Sequence, residues 1–163
     1  ASIALFNIGI MRGYRWHYMA RLWRTPLLGE LVQATTTRAA FRLSLKHGNP
    51  RGLPPEFIER TYNNYDRGTR HAVLKLYRAT SALDEAANTI QAALRPLDLE
   101  CLVMWGKCDP YVNWRFAAQQ RETFPRAELV YFEDSGHWPF IDNPEAAAAA
   151  LIPFLQRVVN NPQ

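Results

Sequence analysis

The stretch "CLVMWGKCDPYVNWRFAAQQRETFPRAELVYFEDSGHWP", residues 101 to 139, decides the fold. It begins with an uninterrupted apolar run, residues 101 to 105, of the kind that a strand buried on both faces shows. Residues 113 to 124 have a helical pattern, and residues 127 to 132 form a second apolar strand. Two strands joined through a helix by short loops predict a parallel βαβ unit with a right-handed crossover.

A closing helix is predicted after this unit. Asn143 is a natural N-cap, Pro144 suits the first turn, and Glu145 complements the positive end of the helix. Apolar residues then recur at helical spacing, at Ala147, Leu151, Phe154 and Val158. Pro153 lies inside this pattern and is expected to kink or divide the helix. The whole C-terminal region is therefore predicted to be a βαβα unit.

The chain before residue 96 has a different character. The run "SIALFN", residues 2 to 7, predicts one buried strand, and the pattern from about residue 12 to 94 is helical. The segment "RWHYMARLWR" places Trp16, Met19, Ala20 and Trp23 on one helical face. Breakers divide the region into short helices; they lie at Thr25-Pro26, at residues 47 to 55 and at residues 66 to 68, and Pro96 ends the last helix.

Composition and charge restrict the function classes. The chain has 163 residues, of which 48% are hydrophobic and 21% charged, as in a globular domain with a core. Residues 1 to 95 carry 14 Lys/Arg against 6 Asp/Glu, whereas residues 96 to 163 carry 5 against 9. The basic half could meet nucleic acid, but its arginines are spread along helical patterns and no helix-turn-helix or zinc spacing accompanies them. A solvated helical surface is favoured, and no nucleic-acid partner is predicted.

Localisation and cysteine chemistry follow from similar counts. No run approaches the roughly 18 apolar residues of a membrane span, and the start shows no basic leader, so a cytoplasmic protein without a membrane span is expected. Cys101 and Cys108 fit neither a disulfide framework nor a spaced metal site, and we predict two free thiols.

The candidate chemistry lies just beyond the ends of the two C-terminal strands. Asp109 follows the first and His137 follows the second, so both emerge at the same edge of a parallel sheet. A carboxylate facing an imidazole can fix the ring's tautomer while the ring moves protons. Alternatives stay open, since Asp109 could cap the following helix and His137 could be a turn histidine. Asp134 is a rival acid that more simply shapes the turn, and Cys108 as a nucleophile has no base beside it.

Two segments resemble a known family. "LVMWGKCDPYV" (102–112) and "VYFEDSGHWPFIDNPEAAAAALIPFL" (130–155) are similar to the last two strands of the α/β-hydrolase fold. In that family a W-G-x-x-D-P loop supplies the triad acid and a G-H-W/F/Y-P turn supplies the histidine. The resemblance implies an α/β fold class, the C-terminal part of an α/β-hydrolase fold with an all-helical cap. Its implied parts are residues 1–9 as the end of a core strand, 10–95 as the cap or lid, and 96–163 as the βαβα part of the core.

The same resemblance implies roles. Asp109 maps to the triad acid and His137 to the general base, but the family's nucleophile elbow, G-x-S-x-G or a variant with aspartate, is not found here. The serines at 2, 44, 81 and 135 lack its glycine frame, and the glycine-rich loop that helps build an oxyanion hole is also not found. We therefore expect this chain alone to be inactive. Its expected partner is the N-terminal segment of the same fold, on the same chain, a separate chain or a second copy.

The aromatic-rich helical region suggests a small apolar substrate such as an ester, a haloalkane or an epoxide. Trp138, Trp16 and Tyr14 are candidates to line its pocket. No cofactor and no metal site is implied. A serine nucleophile would indicate an esterase or lipase-like enzyme, and an aspartate a haloalkane dehalogenase or epoxide hydrolase. A non-catalytic binding module or fragment of the same fold is the alternative.

Overall fold

The computed structural model describes residues 1 to 160, and its centre is a three-stranded parallel sheet. The strands are β1 (Ser2–Phe6), β2 (Glu100–Gly106) and β3 (Glu128–Phe132), in the spatial order β1-β2-β3. Phe6 pairs with Met104, and Gly106 pairs with Phe132, so the three strands end near one edge. Every residue of β2 after Glu100 is buried, and the strand predicted to be covered on both faces is confirmed.

Helices account for most of the remaining chain. The α-helices are α1 (Tyr18–Arg24), α2 (Leu28–Thr35), α3 (Arg38–Gly48), α4 (Pro55–Asn63), α5 (Arg67–Ala79), α6 (Leu83–Leu94), α7 (Phe116–Gln119), α8 (Pro139–Asp142) and α9 (Pro144–Asn160). Two short 3₁₀ segments, Arg95–Leu97 and Gln120–Glu122, follow α6 and α7. The first six helices stand between β1 and β2 in the chain. An all-helical region followed by strand, helix, strand and helix is the predicted α/β arrangement.

Alternate residues of β2 feed two apolar clusters on opposite faces of the sheet. One face carries Cys101, Val103, Trp105, Val112, Ala117, Phe124 and Ala127. The other carries Leu102, Met104 and Phe132 against Ala147 and Phe154 of α9. The period of two along a strand and the helical spacing of α9 together explain this layered core. The apolar face predicted for α9 is therefore confirmed.

The helix boundaries follow the predicted breakers. Pro55 begins α4, with Glu56 in its first turn, and Asp66 caps α5 by accepting a hydrogen bond from the Thr69 N–H. One detail is corrected at α1, where His17 is the N-cap and its Nδ1 accepts from the Ala20 N–H at 3.3 Å. Because α1 begins only after His17, Trp16 lies before the helix and is not part of the helical face that was predicted to contain it.

Two other helices differ from expectation. The helix predicted over residues 113 to 124 is shorter, because α7 covers only Phe116–Gln119 and tightens into a 3₁₀ segment. Pro153 does not divide α9, which runs unbroken from Pro144 to Asn160. Proline has no N–H, so Pro153 cannot bond the carbonyl of Ala149 one turn earlier. Both residues are exposed, so water can bond that carbonyl instead.

Within residues 1 to 160, no helix is long and apolar enough to cross a bilayer. The same residues contain no group of three or more His, Cys, Asp or Glu side chains that could hold a metal ion. The bounds of the 10–95 cap stay a prediction, and the last three residues of the predicted 96–163 unit lie outside the described range.

Candidate active site

The two predicted site residues meet at the carboxyl edge of the sheet. Asp109 follows β2, His137 follows β3, and the Asp109 Oδ2 lies 2.8 Å from the His137 Nδ1. The Asp109 side chain is fully buried, whereas 31% of the His137 side chain is exposed. A buried carboxylate thus faces a ring that is partly exposed to solvent. The structure brings together the acid and the imidazole that their loop positions predicted.

Asp109 is held by both of its carboxylate oxygens. Its Oδ1 accepts hydrogen bonds from the backbone N–H groups of Tyr111 at 2.7 Å and Val112 at 3.1 Å. Its Oδ2 accepts from the Asn7 amide at 2.7 Å and contacts His137. The two interpretations of Asp109 are therefore both present in the geometry, since one oxygen caps the turn after β2 while the other faces the ring. Four contacts fix the carboxylate in one orientation.

Asn7 ties the ends of all three strands together. It directly follows β1, is 1% exposed, and has a φ of 48°, a left-handed conformation that asparagine tolerates better than most residues. Its Oδ1 accepts from the Gly106 N–H at 2.9 Å, and its Nδ2 donates to Asp109 and to the Gly136 carbonyl at 3.2 Å. The sequence marked Asn7 only as the end of a strand. Its partners lie 99 to 129 residues away, so no local pattern could have shown this role.

The tautomer of His137 follows from its partner. A carboxylate accepts and cannot donate, so in the neutral ring the proton is on Nδ1 and Nε2 carries the free lone pair. Among residues 1 to 160 that Nε2 has no hydrogen-bond partner. The ring packs edge-on against Tyr111, with centroids 5.3 Å apart. A ring in this state can take a proton at Nε2 while Asp109 stabilises the resulting charge.

A second histidine lies close to the site and was missed. The His17 ring contacts the Tyr111 ring at 5.0 Å, and Tyr111 in turn contacts His137. Burial lowers the pKa of His17, and the nearby His137 lowers it further. His17 is therefore neutral at pH 7, and because its Nδ1 accepts from Ala20, its proton is on Nε2. In the sequence His17 had no ligand spacing, and only the fold brings it beside Tyr111 in the loop after β2.

The rival candidates are placed elsewhere. Asp134 is 63% exposed at its side chain and pairs with Arg51, without contacting His137. Cys108 is exposed, and its Sγ lies 3.3 Å from the Glu133 carbonyl. Cys101 is buried in the sheet, where burial raises the pKa of its thiol to about 12. Both cysteines are free thiols, as predicted.

The three predicted pocket residues fall into two places. Trp138 adjoins His137 and packs edge-on against Phe57 at 5.6 Å. Tyr14 donates its hydroxyl to the Tyr111 carbonyl at 3.3 Å and contacts Trp16 at 5.7 Å between ring centroids. Tyr14 and Trp16 line an open cleft of about 750 Å³ whose walls include three arginines and the start of α6; the lining is Tyr14, Arg15, Trp16, Arg21, Arg24 and residues 81 to 85. That cleft includes neither Asp109 nor His137, so the structure brings only Trp138 next to the pair.

Comparison with protein families agrees with this arrangement. The model of the alpha/beta hydrolase family matches residues 5–150. This chain, with its parallel sheet and with Asp109 and His137 at the carboxyl edge, belongs to the alpha/beta hydrolase family. No curated protein matches it.

Solved structures share the fold at low sequence identity. The chain is similar to lip1 from Acinetobacter baumannii AYE, described as a candidate lipase, with a TM-score of 0.74 and 22% identity over 98% of this chain and 54% of that one. A 2-hydroxy-6-oxo-6-phenylhexa-2,4-dienoate hydrolase from Rhodococcus sp. strain RHA1 gives 0.71 and 19% over 95% and 55%. The haloalkane dehalogenase DbeA from Bradyrhizobium elkani USDA94 gives 0.70 and 22% over 86% and 50%. The chain thus spans about half the length of these structures.

Proposed function

We propose that this chain supplies the acid and the histidine of a nucleophile-His-acid triad in a hydrolase. Asp109 orients the ring and stabilises its protonated form, and His137 is the general base. The observation that carries the proposal is the 2.8 Å contact between the Asp109 Oδ2 and the His137 Nδ1, which leaves Nε2 for proton transfer. The nucleophile would come from a segment or chain outside these residues, because none of the serines described here stands on a strand-to-helix elbow.

The proposed reaction proceeds in two steps through a covalent ester on the nucleophile. A serine would attack an ester carbonyl after His137 takes its proton, and the ring would return that proton to the departing alcohol. An aspartate would attack carbon directly, displacing halide or opening an epoxide, whose oxygen then takes a proton from water. In the second step His137 takes a proton from water and the hydroxide attacks the carbonyl carbon of the ester intermediate. The ring then gives that proton to the departing oxygen, which is the serine Oγ or the oxygen of the alcohol formed from the haloalkane or epoxide.

A small apolar ester, haloalkane or epoxide is the proposed substrate class. Aromatic side chains surround the pair, since Tyr111 and Trp138 adjoin His137 and Phe57 packs behind Trp138. Such walls favour apolar groups. The similar structures include a dienoate hydrolase and a haloalkane dehalogenase, so the shared fold does not choose among these chemistries.

The test uses the complete protein that carries this chain with its nucleophile. It would be assayed on p-nitrophenyl esters, a haloalkane and an epoxide, alongside His137→Ala. We expect turnover of one substrate class and a loss of about 10³-fold or more in the variant, the scale of removing a triad member. If the nucleophile is an aspartate, the His137→Ala variant should still form the covalent ester but not hydrolyse it. Mass spectrometry should then detect the accumulated ester. Unchanged turnover in His137→Ala would refute the assignment, and this chain alone is expected to be inactive.

A non-catalytic module of the same fold is the second candidate. One observation favours it: within residues 1 to 160 the outer edge of β1 is unpaired, and an open edge is a site for another strand. The N-terminal part of a complete hydrolase would cover the same edge. A complete protein that binds an apolar ligand but hydrolyses none of the three substrate classes would favour the module.

A further inference from the structure

The backbone around His137 is held from two sides: Asn7 bonds the Gly136 carbonyl from the strand ends, and the helical region bonds the two N–H groups that follow. Helix α3 ends at Gly48, and residues 48 to 51, here called the clasp, lie against the His137 turn. The His137 N–H donates to the Gly48 carbonyl at 2.7 Å. The next N–H, of Trp138, donates to the Asn49 Oδ1 at 2.8 Å. Two consecutive peptide groups of the turn therefore depend on two consecutive residues of the clasp.

Asn49 is fixed at both ends of its amide. It is 2% exposed, and its Nδ2 donates to the Leu45 carbonyl in the last turn of α3 at 3.0 Å. Its Oδ1 accepts the hydrogen bond from the Trp138 N–H, while its Nδ2 is bonded to the helix. An asparagine can do both, whereas a carboxylate can only accept and an alanine can do neither. The side chain acts as a rigid connection between α3 and the turn.

The rest of the clasp holds the turn on either side of the histidine. The Arg51 Nε donates to the Asp142 carbonyl at 2.9 Å, and its guanidinium also pairs with Asp134. Gly136 lies so close that a Cβ there would overlap the Gly48 carbonyl oxygen. The close approach of two backbones at this point requires glycine. The turn from residue 134 to 142 is thus fastened before, at and after His137.

We propose that Asn49 is a positioning residue that places the His137 imidazole, acting through the backbone of Trp138. This inference rests on the proposed function, because it assigns a role in orienting the same general base. Asp109 restrains the ring only at Nδ1. The direction of Nε2 also depends on where the backbone of residue 137 stands, and within the described chain that backbone is bonded to the clasp. The helical region is therefore part of the catalytic apparatus as well as a cover.

The test compares Asn49→Ala and Asn49→Asp in the complete protein. The alanine variant leaves the Trp138 N–H without its acceptor, and a displaced base should lower kcat by about 10- to 100-fold. KM should stay within about twofold, because Asn49 has no contact expected with substrate. The aspartate variant still accepts from Trp138, so kcat should recover to within about 10-fold of the parent. Its added charge favours the protonated ring, so the acidic limb of the kcat/KM profile should move to higher pH.

Asn63→Ala is the matched control. Asn63 is an exposed asparagine at the end of α4 that bonds Arg38 and does not contact the turn, and its removal should leave kcat and the pH profile unchanged. Gly136→Ala, which pushes the clasp from the turn, should reproduce the kcat loss of Asn49→Ala. If Asn49→Ala fails to fold, the test rests on Asn49→Asp: a shift of the acidic limb of its kcat/KM profile to higher pH supports the positioning role, and an unchanged profile contradicts it.

Two failures can be told apart. If His137→Ala abolishes turnover while both Asn49 variants keep the parent's kcat and pH profile, the positioning role is wrong and the proposed function stands. If His137→Ala retains full turnover, the proposed function itself is wrong.

Discussion

The two loops that meet at the site share Asn7 but differ in their other supports. Asp109 is fully buried and held by its own turn and by Asn7, all from the sheet and its strand ends. His137 is partly exposed; its N–H donates to Gly48 and the next N–H to Asn49, both from the helical region, while Asn7 bonds the Gly136 carbonyl before it. The acid is held from the sheet and its strand ends alone, whereas the histidine turn is held from the helical region as well.

This difference has a physical consequence for the site. A carboxylate with four contacts inside the core keeps its place as long as the sheet is folded. A ring held through a neighbouring helical region moves when that region moves, and such regions usually have lower local stability than a central sheet. Variants on the acid side should therefore lower both stability and activity, and variants on the clasp side should lower activity even where the sheet stays folded.

The largest effect is expected from Asp109→Asn. The amide would keep an oxygen for Tyr111 and Val112 but turn its NH₂ toward two donors, Asn7 and the His137 Nδ1–H, which forces the wrong tautomer. We expect kcat of the complete protein to fall by about 10³- to 10⁴-fold.

Glu133→Gln is the control for that change. Glu133 is an exposed carboxylate at the same edge, paired with Lys107, and its variant should stay within about twofold of the parent, as surface pairs contribute little. If Asp109→Asn kept more than a tenth of kcat, the acid would not be Asp109.

Asn7→Ala should sharpen the core side of the comparison. It removes the acceptor of the buried Gly106 N–H and a donor to Asp109, so the free energy of unfolding should fall by about 2–4 kcal/mol. A fall of about 10-fold in kcat should accompany it, as the carboxylate gains freedom. Urea denaturation and steady-state kinetics measure the two. Asn88→Ala, at an exposed position of α6, should change stability by less than about 0.5 kcal/mol; equal effects of the two would count against a special role for Asn7.

The smallest effect concerns His17 and pH. Because burial lowers the pKa of His17 in the folded state, the unfolded chain binds more protons as the pH falls below the ordinary value of 6.5. Stability should therefore be lost as the pH falls from 7.5 to 5.5. His17→Asn keeps a short acceptor for the Ala20 N–H and should reduce the fall in Tm by about 1–2 °C.

Exposed His71→Asn is the comparison for that measurement and should follow the parent. A Tm profile of His17→Asn that coincides with the parent would show that His17 does not contribute to the acid sensitivity.

The sheet and the central pair were predictable because their signals are local. An apolar run marks β2, and a polar turn directly after each strand places Asp109 and His137 at one edge without knowledge of the rest of the chain. Helix ends were predictable for the same reason, since Pro55 and Asp66 act within one turn.

The supports of the pair were not predictable from local pattern. Asn7 and Asn49 look like turn residues, and their bonds to Gly136 and Trp138 span 129 and 89 residues. His17 reaches the site because, as the residue before α1, it contacts Tyr111 in the turn after β2. For Trp16 the local pattern was misleading, because the helical spacing placed it on the face of α1 although it lies before the N-cap. Long-range contacts depend on the whole fold, which is why the sequence did not show them.

The most direct test of the central claim is ¹H–¹⁵N NMR of histidine-labelled complete protein, with His137 assigned by its absence in His137→Gln. When the ring is neutral, we expect its proton on Nδ1, with a downfield N–H signal that disappears in Asp109→Asn. A neutral His137 protonated at Nε2, with a spectrum unchanged by Asp109→Asn, would contradict it.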